Sequence, residues 1–201
     1  MITVFLHGSF STPQDAWWPW LKKEIEKSGQ KVLAPQFPVD RWDKVGELTV
    51  EDYQPRAKLS DWFKKFEEIK EAVIADKNRF FIGHSLGPLF LLHLLENYQF
   101  KVRGAVLLAP FFEIYGKSAV VEKFNQPFYK YDFNFDKLQQ LMPRSTVIFS
   151  DDDPYVDNEK SLDFAKKLSS RIVKVHDLGH MGLESGMKEF PEVLREIKML
   201  K

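Results

Sequence analysis

The sequence contains no cysteine. That absence excludes disulfides, Cys-ligated zinc, iron–sulfur clusters and a thiol nucleophile, and it leaves any catalysis to other side chains. Net charge is missing too: 29 Lys and Arg balance 29 Asp and Glu, so no overall positive field draws nucleic acid, which is not an expected partner. No stretch approaches the length of a membrane span, and the run Ile2 to Leu6 is too short, and too poor in basic flanks, for a signal-peptide core. A cytoplasmic location is therefore expected. What is present is 201 residues with 44% hydrophobic and 29% charged side chains, the proportions of one globular domain spanning 1–201. A chain of this size buries roughly 70% of its unfolded surface and needs neither disulfide nor structural metal.

Short β-branched or aromatic runs alternate with helical patterns. Strands are predicted over Ile2 to Leu6, Lys31 to Ala34, Arg79 to Gly83, Val102 to Ala109, Thr146 to Ser150 and Arg171 to Val175. Helices are predicted near 16–28, 61–75, 86–98, 135–142, 158–168 and 190–200. The segment 61–75 carries Trp62, Phe63, Phe66, Ile69, Val73 and Ile74 on one face, with Ser60 as its N-cap and a solvated face of Lys and Glu opposite. Near-continuous apolar strands joined by helices imply an α/β fold, a three-layer α/β/α sandwich around a mostly parallel six-stranded sheet. Ligands in such folds bind beyond the carboxyl ends of the strands. Two long connections, about Pro35 to Leu59 and Pro110 to Asn134, are expected to overhang that edge.

Gly83-His84-Ser85-Leu86-Gly87 is a G-x-S-x-G sequence placed where the third strand ends and an apolar helix begins. A tight turn there lifts the serine into the open, and the flanking glycines let neighbouring backbone approach without a Cβ clash. The helix start adds free N–H groups and positive potential. Ser85 is the candidate nucleophile, and its hydroxyl needs a histidine base oriented by a carboxylate. Five histidines are available. His84 and His93 read as packing residues, and His7 as shaping the loop after the first strand. His180, in Asp177-Leu178-Gly179-His180 beyond the last strand, is the candidate base, with His176 as the alternative.

The acid should come from Asp151-Asp152-Asp153-Pro154-Tyr155-Val156-Asp157, directly after the fifth strand. Asp153 precedes a proline and so favours an extended backbone that projects its side chain, which ranks it ahead of Asp152. Tyr155 and Val156 spoil a calcium-loop reading of this segment. The oxyanion hole would use the backbone N–H of Leu86 and of Ser9, with Phe10 as second choice. His7-Gly8-Ser9-Phe10 matches no dinucleotide or P-loop pattern. No cofactor and no metal is expected.

The order Ser85, Asp153, His180 is the α/β-hydrolase order. The chain resembles that superfamily, and more narrowly its cap-less retinoblastoma-binding-protein-type serine hydrolases and their bacterial relatives. The shared features are His7-Gly8, Trp17-Trp18-Pro19-Trp20-Leu21, Val32-Leu33-Ala34-Pro35 into Phe37-Pro38, Gly83-His84-Ser85-Leu86-Gly87, Asp152-Asp153-Pro154-Tyr155 and Gly179-His180. The resemblance implies a compact hydrolase fold without a full cap domain, with Ser85, Asp153 and His180 as nucleophile, acid and base. It does not extend to retinoblastoma binding, because the Leu-x-Cys-x-Glu motif cannot exist here. The expected activity is cleavage of a small-molecule acyl ester through an acyl-enzyme. The alternatives are an amidase or aminopeptidase with the same triad, and a protein-binding module on a hydrolase scaffold. Nine aromatics between Phe111 and Phe135 are expected either to roof the pocket or to pack their own loop onto the body.

Overall fold

The computed structural model describes every residue except 46, 56, 57, 117, 131 and 201. Six strands, β1 (Ile2–Leu6), β2 (Lys31–Leu33), β3 (Phe80–His84), β4 (Gly104–Leu108), β5 (Ser145–Ser150) and β6 (Arg171–Val175), form one sheet in the order β2-β1-β3-β4-β5-β6. Every neighbouring pair is parallel. The helices are α1 (Trp18–Glu26), α2 (Trp42–Val45), α3 (Leu59–Ala75), α4 (Leu86–Tyr98), α5 (Ala119–Asn125), α6 (Phe135–Leu141), α7 (Asn158–Lys167) and α8 (Pro191–Leu200). None among the described residues is long and apolar enough to cross a membrane.

Consecutive strand side chains point to opposite faces, so a sheet covered on both sides needs apolar residues at every position. Phe5, Phe80, Ile82, Val106, Leu108 and Ile148 pack against Leu21 and Ile25 of α1 and Val193 and Ile197 of α8. Val4, Phe81, Leu107, Val147 and Phe149 face the other layer, with Trp62 and Phe66 of α3, most of α4, and Phe164 of α7. Helix α4 is buried continuously from Leu86 to Leu95, the mark of a helix enclosed on every side.

Winding reverses between β1 and β3. From β1 the chain steps out to β2, then returns to β3 on the other side of β1. The loops leaving β1 and β3 therefore run to helices in opposite layers, α1 in one and α4 in the other, and a crevice opens between them. Gly87 sets how closely α4 approaches this crevice, because a Cβ built on it would stand 2.0 Å from the Leu6 carbonyl oxygen. The obstacle is backbone at the carboxyl end of β1, paired there with β3, so Gly87→Ala should cost about 3 kcal/mol or more. Urea unfolding checks this, and an unchanged midpoint would refute the close approach.

Three local expectations are corrected. Helix α3 starts at Leu59 rather than 61, with Lys58 at the N-cap; Asp61 reaches back to accept the Lys58 N–H at 3.1 Å, so Ser60 lies inside the first turn. Ile74 is 40% exposed, since a residue next to Val73 is turned by about 100° from the buried stripe. The long connections are not plain loops: they hold α2, α5 and a 3-10 turn at Gln126–Phe128, each too short to give a periodicity signal.

Candidate active site

Strand β3 ends at His84 and α4 begins at Leu86, so Ser85 alone makes the turn between them. It does so at φ 59° and ψ −108°, a backbone region that costs a non-glycine residue roughly 1–3 kcal/mol. The surroundings impose it: the Ser85 N–H donates to Leu108 O at 2.8 Å, which ties the turn to the end of β4. On the other side Gly8 lies against the turn, where a Cβ would come within 2.7 Å of Ser85 Cβ and 3.2 Å of its Oγ. A glycine lets the loop after β1 run directly beside the hydroxyl. Among the described residues, the backbone N–H groups of Ser9, Phe10 and Leu86 have no hydrogen-bond partner.

The loop after β5 and the loop after β6 lie side by side and bond in register. Asp151 accepts the His176 Nδ1–H at 2.6 Å and the Asp177 N–H at 3.3 Å. Asp152 accepts the Gly179 N–H at 2.9 Å and the Ser150 hydroxyl at 2.5 Å. Asp153 accepts the His180 Nδ1–H at 2.7 Å. Left-handed backbone at Asp177, Gly179 and Met181 winds the second loop tightly enough for this pairing. Burial separates the two His–Asp pairs: the side chains of His180 and Asp153 are 12% and 2% exposed, those of His176 and Asp151 68% and 28%. The His176 hydrogen bond, aided by Lys174, holds the Asp151 carboxyl below its ordinary range, and the Ser150 hydroxyl does the same for Asp152.

Asp153 is fixed from its own side as well. Its Oδ1 accepts the N–H groups of Tyr155 and Val156 at 2.9 and 3.0 Å, which leaves Oδ2 for the histidine. A donating Nδ1 leaves Nε2 of His180 with a free lone pair. Tyr155 packs edge-on against the imidazole, ring centroids 5.3 Å apart.

The other histidines are engaged elsewhere. His7 donates from Nδ1 to Gly8 O at 2.9 Å and accepts the Phe37 N–H on Nε2 at 2.9 Å. Burial lowers its pKa to about 4, so it stays neutral and braces the loop beside Ser85. His84 turns its Nε2–H to His180 O at 2.7 Å, and burial lowers its pKa to about 3. His93 donates to Phe128 O at 2.7 Å, and burial lowers its pKa also.

Ser85 and His180 share a cavity of about 240 Å³, walled by Ser9, Phe10, Trp42, Ile114, Val121, Tyr155 and Leu183, with Ser11, His84, Gly182 and Glu184 completing it. Among the described residues Ser85 Oγ makes no hydrogen bond; such contacts are often open until substrate binds. Both long connections reach the wall, through Trp42 from the first and Ile114 and Val121 from the second. Among the described residues, the aromatics between Phe111 and Phe135 do not line the cavity. Phe111, Phe112, Phe124, Phe128 and Phe133 are buried in the core, Phe135 packs on it, and Tyr129 binds the Ile114 backbone through its hydroxyl. Tyr115 is exposed, and Tyr131 lies outside the described residues. A connection this long needs buried contacts to stay ordered, and its rings supply them by docking into the core of the body.

A family model for serine hydrolases matches residues 3–199. The chain belongs to the serine hydrolase family. YdeN of Bacillus subtilis (strain 168) is 25% identical over 190 residues, 94% of this chain and 90% of that protein. The crystal structure of the ydeN gene product superposes with a TM-score of 0.80 at 22% identity, over 99% of this chain and 97% of that one. Serine hydrolase RBBP9 of Rattus norvegicus is 22% identical over 197 residues, 96% and 91% of the two chains. The fold is accordingly that of the α/β hydrolases, and the chain is a hydrolase.

Two supports of this serine hydrolase's histidine loop had no signal in the sequence. The Trp17 indole N–H donates to Met181 O at 2.8 Å, and His84 holds His180 O, so the backbone is gripped on and just after His180. The tryptophans at the start of α1 stood out by composition, but a partner 164 residues away could not be read from spacing.

Proposed function

We propose that this serine hydrolase is a carboxylesterase acting on small apolar acyl esters. Ser85 attacks the acyl carbonyl while His180 Nε2 takes its proton. Asp153 keeps the imidazole in the Nδ1–H tautomer and stabilises the imidazolium that forms. The N–H groups of Leu86 and Ser9 receive the developing oxyanion. His180 returns the proton to the leaving alcohol, and a water activated by the same histidine then releases the acid and restores Ser85. The observation that carries this reading is a part-buried His180–Asp153 pair opening on the cavity where the strained Ser85 turn lies.

The substrate class follows from the wall. Phe10, Trp42, Ile114, Val121 and Leu183 offer an apolar lining. The cavity of about 240 Å³ limits the length of acyl chain that it can take. Along a series of p-nitrophenyl esters from acetyl to octanoyl, kcat/KM should climb roughly fourfold per methylene, about 0.8 kcal/mol each, and level off once the cavity is full. A flat series would remove the apolar-acyl assignment. Faster turnover of matched aminoacyl amides would replace esterase by amidase.

A further inference from the structure

We infer that the Ser9 side-chain hydroxyl is a third hydrogen-bond donor to the oxyanion, freed for that role by rotation of the Asn125 carboxamide. The inference rests on the acyl-transfer reading above and adds to it a side-chain donor and a positioning residue.

Asn125 closes α5 and is 1% exposed. Its Oδ1 accepts the Ser9 hydroxyl, while its Nδ2 has no partner among the described residues. Ser9 follows Gly8, whose backbone lies against Ser85, and Ser9 and Ser85 line the same cavity. A buried N–H group without an acceptor is rarer in folded proteins than a carbonyl oxygen left alone. The arrangement thus leaves unpaired the member of the amide that tolerates it less.

Rotating the carboxamide by half a turn exchanges its oxygen and nitrogen with almost no change of shape. Nδ2–H then donates to Ser9 Oγ, which accepts as readily as it donates. The buried donor is satisfied, and the Ser9 proton is released from Asn125 to point into the cavity. An anionic oxygen there accepts that proton's hydrogen bond more strongly than a neutral carbonyl does. The rotated state is therefore favoured as charge develops on the substrate, which is the condition for lowering the barrier instead of merely tightening binding. Asn125 acts only through Ser9 and touches no reacting atom.

The test compares Ser9→Ala, Ser9→Thr, Asn125→Asp and the double variant Ser9→Ala/Asn125→Asp on p-nitrophenyl butyrate, with thermal melts as a check on folding. Ser9→Ala should lose about 100-fold in kcat with KM nearly unchanged, the size of one oxyanion donor. Ser9→Thr keeps the hydroxyl and should stay within about tenfold of the parent. Asn125→Asp presents a carboxylate that only accepts, holds the Ser9 proton and should reproduce the Ser9→Ala loss. The double variant should then be no slower than either single one.

A Ser9→Ala enzyme within about threefold of the parent kcat would overturn the inference, as would a double variant whose loss is the product of the two single losses. If Asn125→Asp does not fold, the Ser9→Ala and Ser9→Thr pair decides alone. A parent protein that neither hydrolyses any ester of the series nor reacts with a fluorophosphonate at Ser85 would instead bring down the underlying acyl-transfer reading.

Discussion

In Ser85→Ala, kcat for ester hydrolysis should fall by at least about 10⁴-fold and labelling by a fluorophosphonate should vanish, because only substrate binding and the oxyanion donors remain. The variant is a clean one. Ser85 Oγ has no hydrogen-bond partner among the described residues to lose, alanine keeps the Cβ that packs on Gly8, and the strained turn is the same for both residues. Stability should therefore change by less than about 1 kcal/mol. Steady-state kinetics, mass spectrometry of the labelled protein and a melting curve together read this out. Turnover surviving at more than about a hundredth of the parent rate, or a label found on another serine, would reject Ser85 as the nucleophile.

Asp153→Asn is expected to lose up to about 10⁴-fold in kcat, and here the geometry dictates the direction of failure. The two N–H groups of Tyr155 and Val156 aim at Oδ1 of Asp153. In the asparagine variant only the amide oxygen can face them, which turns the amide N–H₂ toward His180. Nδ1 must then accept instead of donate, so the proton moves to Nε2, the nitrogen that has to receive the Ser85 proton. Asp151→Asn should change kcat by no more than about threefold, since Asp151 serves the exposed His176 and backbone. Asp152→Asn tests the register of the loop. If that variant were the crippled one and Asp153→Asn nearly normal, the acid would have to be reassigned by one position.

Much of this was legible without coordinates. Apolar runs at each strand and the amphipathic stripe of α3 set the α/β alternation, because burial on both faces of a parallel sheet leaves that trace in composition. The boundaries were less legible: the N-cap of α3 is Lys58 rather than Ser60, a choice made by Asp61 at the third helical position reaching back to the Lys58 N–H. Short α2 and α5 were invisible for want of a full helical period.

The sequence by itself determined the residue types and their order: a serine between a strand and an apolar helix, an aspartate-rich turn after the fifth strand and a histidine after the sixth. Local chemistry sufficed because turns, glycines and proline constrain the backbone within a few residues. Only the tertiary structure decided which aspartate meets which histidine, since three consecutive carboxylates differ solely in the direction each takes across to the neighbouring loop. It also decided that Trp42, Ile114 and Val121 line the cavity while Phe111, Phe112, Phe124, Phe128 and Phe133 are buried in the core. Those outcomes depend on contacts between segments far apart in the chain, brought together by the crossover between β1 and β3 and the stacking of strands beyond it, and no periodicity within one segment encodes them.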